Sequence, residues 1–478
     1  MRHHPKALWW LTCSYSLFMA AFGTLVASIV LYQTNQLKMG SDEAYGIFAA
    51  AMALLWLLPL AGGYLSTKFG YSNGGRVGIL FTCLGFIALC FPPKIFFFVG
   101  LSLFVVGNAF ATPAIWCLVD HCYSKDSLLR ESGFTLFYLV FNLGAVIGIL
   151  TGGYIADAFG FCYEFMLDAL CLFGAFLFLH FGKNQISPHA GRSTAPQVFL
   201  SKKMIFFILS AICIASTPFV ILLLRNITVN NVLTVILLFV MTFIFLRTGF
   251  KQKNRTNRNK MFAFVFLSLI SIVFWTLYSL EPSLLSVFIQ SNVDRSLLGF
   301  EVPAVSFFAF DGVFVILFGI FFSRFWVYLS QKKKNPSLPF KFASSLFIIG
   351  LGFCLLSLVI HFMGNGYTSA WYIVFAYMFF AIAELFVSPL GIAMVGSLAP
   401  EGEEGLMMGF WQLCCGVGGI VAGYIAIVPH IPARHVSLAI SNPIYSETFF
   451  YVGFGAILAA GIVLIFVKKL KKLMKESS

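Results

Sequence analysis

Four carboxylates stand within long apolar stretches of this sequence, and they are the side chains with the clearest capacity for chemistry. They are Asp168, Glu281, Asp311 and Glu384. A charged side chain at the centre of a membrane costs about 2.5 to 3.5 kcal/mol on the lenient insertion scale, so such a group usually faces a cavity or a pathway. A carboxylate there can hold a cation such as a substrate ammonium group, and it can also take up and release a proton.

The local sequence differs at each of the four positions. Glu384 is the most central, within FAIAELFVSPLG at 380–391. Glu281 is followed by Pro282, which would break the helix and place the carboxylate at a bend. Asp311 is expected about two turns inside its helix. Asp168 lies near the start of its helix, where a structural hydrogen bond or contact with interfacial water explains it as well as a role in transport does.

The elements that carry these residues are predicted to be transmembrane helices. Apolar residues make up 60% of the chain, charged residues make up 10%, and the mean hydropathy is +0.92. A soluble globular protein carries about 25% charged residues. Apolar segments of about 20 residues, the length that spans a bilayer, recur from Leu8 to Val467, and we count fourteen of them. The sequence therefore predicts an all-α polytopic membrane protein with fourteen transmembrane helices.

Positive charge is concentrated in alternate connections between these segments. The basic connections include RTGFKQKNRTNRNK at 247–260, QKKKNPSLPFK at 331–341 and the tail KKLKKLMK at 468–475. Cytoplasmic loops carry an excess of Lys and Arg, so both termini are predicted to be cytoplasmic. This topology accounts for the formal net charge of +13 without a nucleic-acid partner.

Two changes in composition divide the chain. The stretch NQISPHAGRSTAPQ at 184–197 is rich in Ser, Pro and Gly, and a second polar stretch covers 251–260. We therefore predict three parts. They are an N-terminal six-helix bundle over 1–183, a linker with an inserted helix pair over 184–260, and a C-terminal six-helix bundle with a basic cytoplasmic tail over 261–478. Two such halves around a central path are found in many secondary transporters.

Glycine spacing predicts close contacts between helices. Gly144, Gly148 and Gly152 lie at intervals of four on one helix face, and Gly419 and Gly423 repeat that spacing. Such spacing occurs in membrane helices of every function, so it favours no particular activity.

The sequence offers little support for an enzyme. It lacks the His-Glu-x-x-His pattern of metalloproteases and the Gly-x-Ser-x-Gly nucleophile elbow. His121 and Asp126 have the His-x4-Asp spacing of acyltransferases, but they lie in a short basic loop. The 11 cysteines show no paired spacing, so neither a disulfide framework nor a metal site is predicted. We therefore predict a protein that is not an enzyme and that needs no cofactor.

Several stretches resemble one transporter family. ELFVSPLGIAMVGSLAPEGEEGLMMGFWQL at 384–413 is similar to the helix-ten signature of the proton-dependent oligopeptide transporter family, within the major facilitator superfamily. GFTLFYLVFNLGAVIG at 133–148 resembles the family's Phe-Tyr-x-x-Ile-Asn-x-Gly signature, with Phe141 where Ile is usual. Further resemblance to its second, fourth and seventh helices lies at 44–65, 107–114 and 274–304. The resemblance therefore runs through both halves of the chain.

The resemblance implies a major facilitator fold in which two six-helix bundles rock about a central site, plus the extra helix pair that bacterial members carry. It also implies uptake of di- or tripeptides with protons across a bacterial cytoplasmic (inner) membrane. The partners are then a small-molecule substrate and the lipid bilayer, the proton is the coupling ion, and a monomer is expected.

The resemblance also implies roles for particular residues. In the family, the helix-ten glutamate holds the α-ammonium group of the peptide, and this role falls on Glu384. The implied substrate-binding residues are Glu384, Ser388, Tyr138, Asn142, Trp411 and Tyr278. Independently of the resemblance, the position of carboxylates within apolar helices makes Asp311, Glu384 and Glu281 candidates for proton coupling.

The chain departs from the family at positions that usually carry charge. The family's first helix contains Glu-x-x-Glu-Arg, whereas residues 14–32 of this chain contain no charged side chain. Thr112 stands where the fourth helix has a lysine, and Thr67 replaces a superfamily aspartate in the second helix. Asp311 stands where the family commonly has Asn.

These differences change the expected substrate. They leave carboxylates in the central cavity and remove the cations that would bind a peptide carboxylate. We therefore expect a substrate that keeps its amine while its acid end is blocked or bound only by neutral groups. Two alternatives stay open. One is a facilitator that equilibrates a peptide-like or cationic substrate without protons, and the other is a receptor derived from a transporter that binds without transporting.

Overall fold

The structure is a computed structural model that describes residues 4–123, 129–190, 201–252, 254–332, 334, 336–398, 404–429 and 437–475. Asp126, residues 191–197 of the linker and residues 399–403 of the helix-ten-like segment lie outside these ranges.

The described chain is almost entirely helical, which confirms the predicted all-α class. Its α-helices are α1 Lys6–Leu31, α2 Ser41–Leu57, α3 Pro59–Phe69, α4 Tyr71–Leu89, α5 Lys94–His121, α6 Arg130–Phe159, α7 Phe161–Phe181, α8 Lys183–Ala190, α9 Lys202–Arg225, α10 Ile227–Lys251, α11 Arg255–Leu280, α12 Ser286–Asn292, α13 Ala309–Gln331, α14 Leu338–Met363, α15 Ala370–Leu385, α16 Ser388–Leu398, α17 Glu404–Ile427 and α18 Leu438–Lys475. Tyr32–Gln36 and Glu281–Leu285 are π-helical, and Val305–Phe308 forms a 3-10 turn. Two-residue strands pair Val293–Asp294 with Thr368–Ser369 in parallel and Ser296–Leu297 with Phe300–Glu301 in antiparallel.

The predicted number of membrane spans is also confirmed. In the described residues, 14 helical segments are long and apolar enough to cross a membrane. Some of them combine two helices, because a local break interrupts the regular helix. One such segment is Ser41–Phe69, which joins α2 and α3, and another is Arg255–Asn292, which joins α11 and α12.

The first compact unit consists of Met1–Lys38 and Leu54–Ile227. Within it, α1 packs closely on α6 because α6 presents glycines to it. A Cβ atom added to Gly148 would lie 2.5 Å from the carbonyl oxygen of Ala20, which is too close for any side chain. The Ser14 hydroxyl also donates a 2.8 Å hydrogen bond to the carbonyl of Ala175, which joins α1 to α7. The predicted close contacts of the α6 glycine stripe are therefore confirmed.

The second compact unit consists of Met39–Ala53 and Thr228–Ser478. Gly423 of α17 repeats the glycine contact, since an added Cβ would lie 3.0 Å from the carbonyl oxygen of Tyr45 on α2. A buried amide network ties the end of α12 to the start of α18. In it, the Asn292 amide donates to Ser441 and Asn442 at 2.6 and 2.7 Å.

The inserted helices fall into different units, with α9 in the first and α10 almost wholly in the second. The three-part division at 184 and 260 remains a proposal about domain organisation.

Candidate substrate and proton site

A π-helical turn after α11 carries the first carboxylate of the second unit. Pro282 lacks the N–H group that a regular α-helix needs, and the chain adopts a π-helical turn over Glu281–Leu285 before α12 begins. Glu281 is the first residue of that turn and is 0% exposed. Neither of its carboxyl oxygens has a hydrogen-bond partner in the structure.

The second carboxylate, Asp311, lies in the first turn of α13 and is 4% exposed. Its carboxyl group is hydrogen-bonded to that of Glu384, and the Tyr278 hydroxyl is directed at it. The other oxygen of Asp311, Oδ1, is buried without a partner. A hydrogen bond between two carboxyl groups requires a proton on one of them, because an ionised carboxylate can only accept. This pair is therefore built to hold a proton.

Glu384 lies next to the end of α15, where the helix is interrupted for two residues before α16 starts at Ser388. Pro389 follows, and the N–H of Val387 bonds to the carbonyl of Glu384 at 3.0 Å. Glu384 is half-buried, whereas its partner Asp311 is buried. Of the two residues, Glu384 is thus the more exposed.

The three carboxyl groups form one electrostatic cluster, which we call the carboxyl cluster: Glu281, Asp311 and Glu384. Glu281 interacts with the charges of both other members. The hydroxyl of Tyr377, which is 0% exposed and has no hydrogen-bond partner in the structure, interacts with Glu281 and Asp311. Because like charges in an apolar interior repel strongly, the cluster favours the binding of positive charge, either as protons or as an ammonium group.

Four of the residues predicted to bind substrate lie in the second unit: Glu384, Tyr278, Ser388 and Trp411. Tyr278 contacts the carboxyl cluster, and Ser388 is half-buried at the start of α16, close along the chain to Glu384. Trp411 is 3% exposed, and its ring contacts those of Trp275 and Phe342 at centroid distances of 6.4 and 6.1 Å. Its surroundings are those of a packed core residue.

Tyr138 and Asn142 belong to the first unit, on α6. The Asn142 amide donates a 2.8 Å hydrogen bond to the carbonyl of Tyr138, and the Tyr138 ring contacts Phe141 edge to face at 5.1 Å. Both side chains are half-buried. The roles assigned to all six binding residues and to the three proton candidates remain predictions.

Neutral hydrogen bonds occupy the positions where charge is missing in the first unit. The Thr112 hydroxyl donates a 2.7 Å hydrogen bond to Asn108, and the Trp116 indole donates a 3.1 Å bond to the Tyr15 hydroxyl on α1.

In the second unit, the buried Lys341 lies at the start of α14, and its ammonium group is 4.0 Å from the ring centroid of Trp326. The described residues show no ion pair between a basic side chain and the carboxyl cluster.

Two polar residues in buried positions were not identified from the sequence alone. Tyr377 lies seven residues before Glu384, a spacing that places both on one side of α15. Glu164 lies four residues before Asp168 on α7, which again gives one face. In both cases the sequence signal is helical spacing: Tyr377 shares a helix face with Glu384, and Glu164 shares one with Asp168.

The model of the POT family matches residues 76–435 of this chain. The chain belongs to the POT family. The chain is 30% identical over 455 residues to dipeptide and tripeptide permease B of Shigella dysenteriae serotype 1, and the alignment covers 93% of this chain and 91% of the relative. It is also 30% identical over 458 residues to dipeptide and tripeptide permease B of Xenorhabdus bovienii, with 94% and 92% covered.

Solved POT structures share the fold. A crystal structure of peptide transporter POT in complex with sulfate matches with a TM-score of 0.85 and 22% identity, over 99% of this chain and 96% of that one. A POT family transporter in complex with 5-aminolevulinic acid matches with a TM-score of 0.84 and 22% identity, over 98% and 97%. The major facilitator fold predicted from the motifs is therefore confirmed. As a POT family member the chain is a many-span membrane transporter and not an enzyme.

Proposed function

We propose that this POT family protein imports di- and tripeptides, or related amine-bearing molecules, together with protons. The observation that carries the proposal is the hydrogen-bonded pair of Asp311 and Glu384, one buried and one half-buried. The relatives named as dipeptide and tripeptide permeases support the substrate class. The relative crystallised with 5-aminolevulinic acid supports a wider range of amine-bearing substrates.

The pair accounts for symport if one carboxyl group binds the substrate while the other binds the proton. Glu384, as the accessible member, pairs in its ionised form with the substrate ammonium group, in a charge-assisted hydrogen bond. Asp311 keeps a proton while Glu384 is occupied. One substrate and one proton then occupy the pair together, and the release of both on the other side completes the transfer.

The remaining predicted residues would shape the substrate site without adding charge. Ser388, Tyr138 and Asn142 offer neutral hydrogen-bonding groups, and Trp411 fixes the packing of α17 through its contacts with Trp275 and Phe342. Glu281, which is fully buried beside the pair, is the second candidate for proton binding. The proton is the coupling ion and no cofactor is required.

The cellular setting follows from the charge pattern and from the bacterial relatives. We propose that the protein lies in the cytoplasmic membrane of a bacterium as a monomer, with both termini in the cytoplasm. Transport proceeds by alternating access, with two six-helix bundles rocking about the binding site.

The absence of charge from most of the first helix favours a second candidate function. No charged side chain occurs over residues 14–32 of the first helix, so a facilitator that equilibrates its substrate without protons is the alternative. A receptor that binds without transporting is a third possibility, and it would show binding with no flux.

The deciding experiment is uptake of a labelled dipeptide into liposomes that contain the purified protein, with and without an inward proton gradient. We expect accumulation above equilibrium only with the gradient, and its loss in Glu384→Gln. Glu447→Gln, at an exposed site on α18, is the matched control and should accumulate like the wild type. Equilibration that ignores the gradient would establish the facilitator, and absence of all flux would refute transport of peptides.

A further inference from the structure

The first unit contains a pair of buried carboxyl groups of its own. Glu164 and Asp168 lie one turn apart on α7 and are 0% and 2% exposed. Among the described residues of this unit, they are the only Asp or Glu side chains in the buried class. The substrate mechanism proposed above uses neither of them.

Glu164 faces α1 and α6. The Ser28 hydroxyl of α1 is directed at its carboxyl group, and a Cβ added to Gly152 of α6 would lie 3.5 Å from Glu164 Cγ. Ser28 is 0% exposed, and neither its Oγ nor either carboxyl oxygen of Glu164 has a partner with full hydrogen-bond geometry. Three buried polar atoms, the Ser28 Oγ and the two carboxyl oxygens of Glu164, therefore lie in one region with none of them fully hydrogen-bonded.

Asp168 continues this arrangement one turn further along α7. Its Oδ2 atom is buried without a partner, and its charge interacts with Glu164 and with the thiol of Cys90 at the end of α4. The described part of the chain places no ion pair on either carboxyl group.

The other titratable side chains around the pair are neutral groups. They are Cys83 and Cys90 from the α4 side, Tyr32 after α1, and Cys162 and Cys171 on α7 itself. The Cys83 thiol donates to the carbonyl of Ala169, and the Tyr32 hydroxyl donates to that of Leu89 at 3.0 Å. Asp157 on α6 is exposed. No positive charge from these neighbours compensates an ionised carboxylate.

A buried carboxylate without donors is costly, so something must satisfy these oxygens. A proton does so at once, because it removes the charge and turns one oxygen into a donor for Ser28 or Asp168. A divalent cation is a poor alternative, since hard cations require about six oxygen ligands. The described residues also contain no group of three or more His, Cys, Asp or Glu side chains that could hold a metal ion.

We propose that Glu164 and Asp168 form a second proton-binding site, within the first unit, that takes up and releases a proton during the transport cycle. The proton adds to a carboxylate oxygen of the pair and leaves from the same group. Residues 14–32 carry no charged side chain, and Glu164 supplies from α7 a carboxyl group that contacts this helix at Ser28. The transport part of this inference rests on the proposed function, whereas the binding of the proton does not.

The binding step is tested on the full-length protein in liposomes with dicyclohexylcarbodiimide, an apolar reagent that reacts with protonated buried carboxyl groups. Adducts are located by peptide mass spectrometry across a range of pH. We expect an adduct on Glu164 that decreases as the pH rises and that is absent from Glu164→Gln. Absence of an adduct on both Glu164 and Asp168 at every pH would overturn the proposal. The proposal would also be overturned if sodium chloride, but not choline chloride, protected Glu164 and Asp168 from labelling, because the site would then bind a metal cation.

The coupling step is tested by dipeptide accumulation under a fixed pH gradient. Loss of one coupled proton lowers the limiting accumulation ratio about tenfold for each unit of pH difference. We expect this loss in Glu164→Gln, in which the amide imitates the protonated carboxyl group, and no loss in the control Asp157→Asn. Wild-type accumulation in Glu164→Gln would overturn the coupling role. If the wild type itself ignores the proton gradient, the proposed function fails, and a pH-dependent adduct on Glu164 would still support the site.

Discussion

The carboxyl group of Asp311 on α13 is hydrogen-bonded to that of Glu384 on α15, although the two helices are separate in sequence. The exposure of the pair is unequal, because Asp311 is 4% exposed and Glu384 is half-buried. This inequality gives each member a different partner in the proposed cycle: the substrate amine binds Glu384 and the proton stays on Asp311.

Asp311→Asn should uncouple transport from the proton gradient more than it slows exchange. The amide retains the shape of a protonated Asp311 and donates a hydrogen bond to Glu384, but it cannot release a proton. We expect accumulation of a labelled dipeptide to fall by at least about tenfold for each unit of pH difference, while exchange against unlabelled dipeptide falls less. Asp294→Asn, an exposed isosteric change in the same unit, is the control. Proton-driven accumulation at the wild-type level in Asp311→Asn would remove Asp311 from the mechanism.

Peptide amides should compete for the site about as well as free-acid peptides. The lysine position of the fourth helix holds Thr112, whose hydroxyl is bonded to Asn108, and no basic residue forms an ion pair with the carboxyl cluster in the described chain. We expect the inhibition constants of dialanine and its amide to agree within about threefold, or about 0.7 kcal/mol. N-acetyl-dialanine, which lacks the ammonium group, should bind at least about tenfold more weakly. A strong preference for the free acid would contradict the prediction and would point to a cation not identified in this site.

The sequence predicts the spans well because a bilayer imposes a minimum apolar length on every helix that crosses it. It also identifies Asp311 and Glu384 singly, since a charge within an apolar run is conspicuous. It does not reveal that the two are bonded to each other, because this depends on how α13 and α15 pack. The burial of Glu164 cannot be predicted from the sequence for a related reason. It lies close to the start of α7, where an exposed position is usual, and packing against α1 and α6 buries it.

Trp411→Phe should weaken folding more than substrate binding. The family resemblance predicts that Trp411 binds substrate, and the structure places its ring at 3% exposure against Trp275 and Phe342. Loss of ring volume from such a site costs about 1 to 3 kcal/mol. We expect a lower thermal unfolding temperature in detergent and a KM for dipeptide within about threefold of the wild type. Trp371→Phe, at a ring that is 47% exposed, should change neither quantity. A KM increase of more than about tenfold with unchanged unfolding would instead establish direct contact with substrate.

Gly148→Ala should destabilise the first unit because the new methyl group has no room. Its Cβ would lie 2.5 Å from the carbonyl oxygen and 2.6 Å from the Cα of Ala20, so α6 must move away from α1. Overpacking of this kind costs about 1 to 3 kcal/mol. Gly461→Ala on α18 is the control, since nothing lies within 4 Å of its added Cβ and alanine favours helix by up to about 1 kcal/mol. Thermal unfolding in detergent should therefore begin at a lower temperature in Gly148→Ala and at an equal or higher one in Gly461→Ala. Equal unfolding temperatures in both variants would mean that α1 and α6 are not held as closely as their backbones indicate.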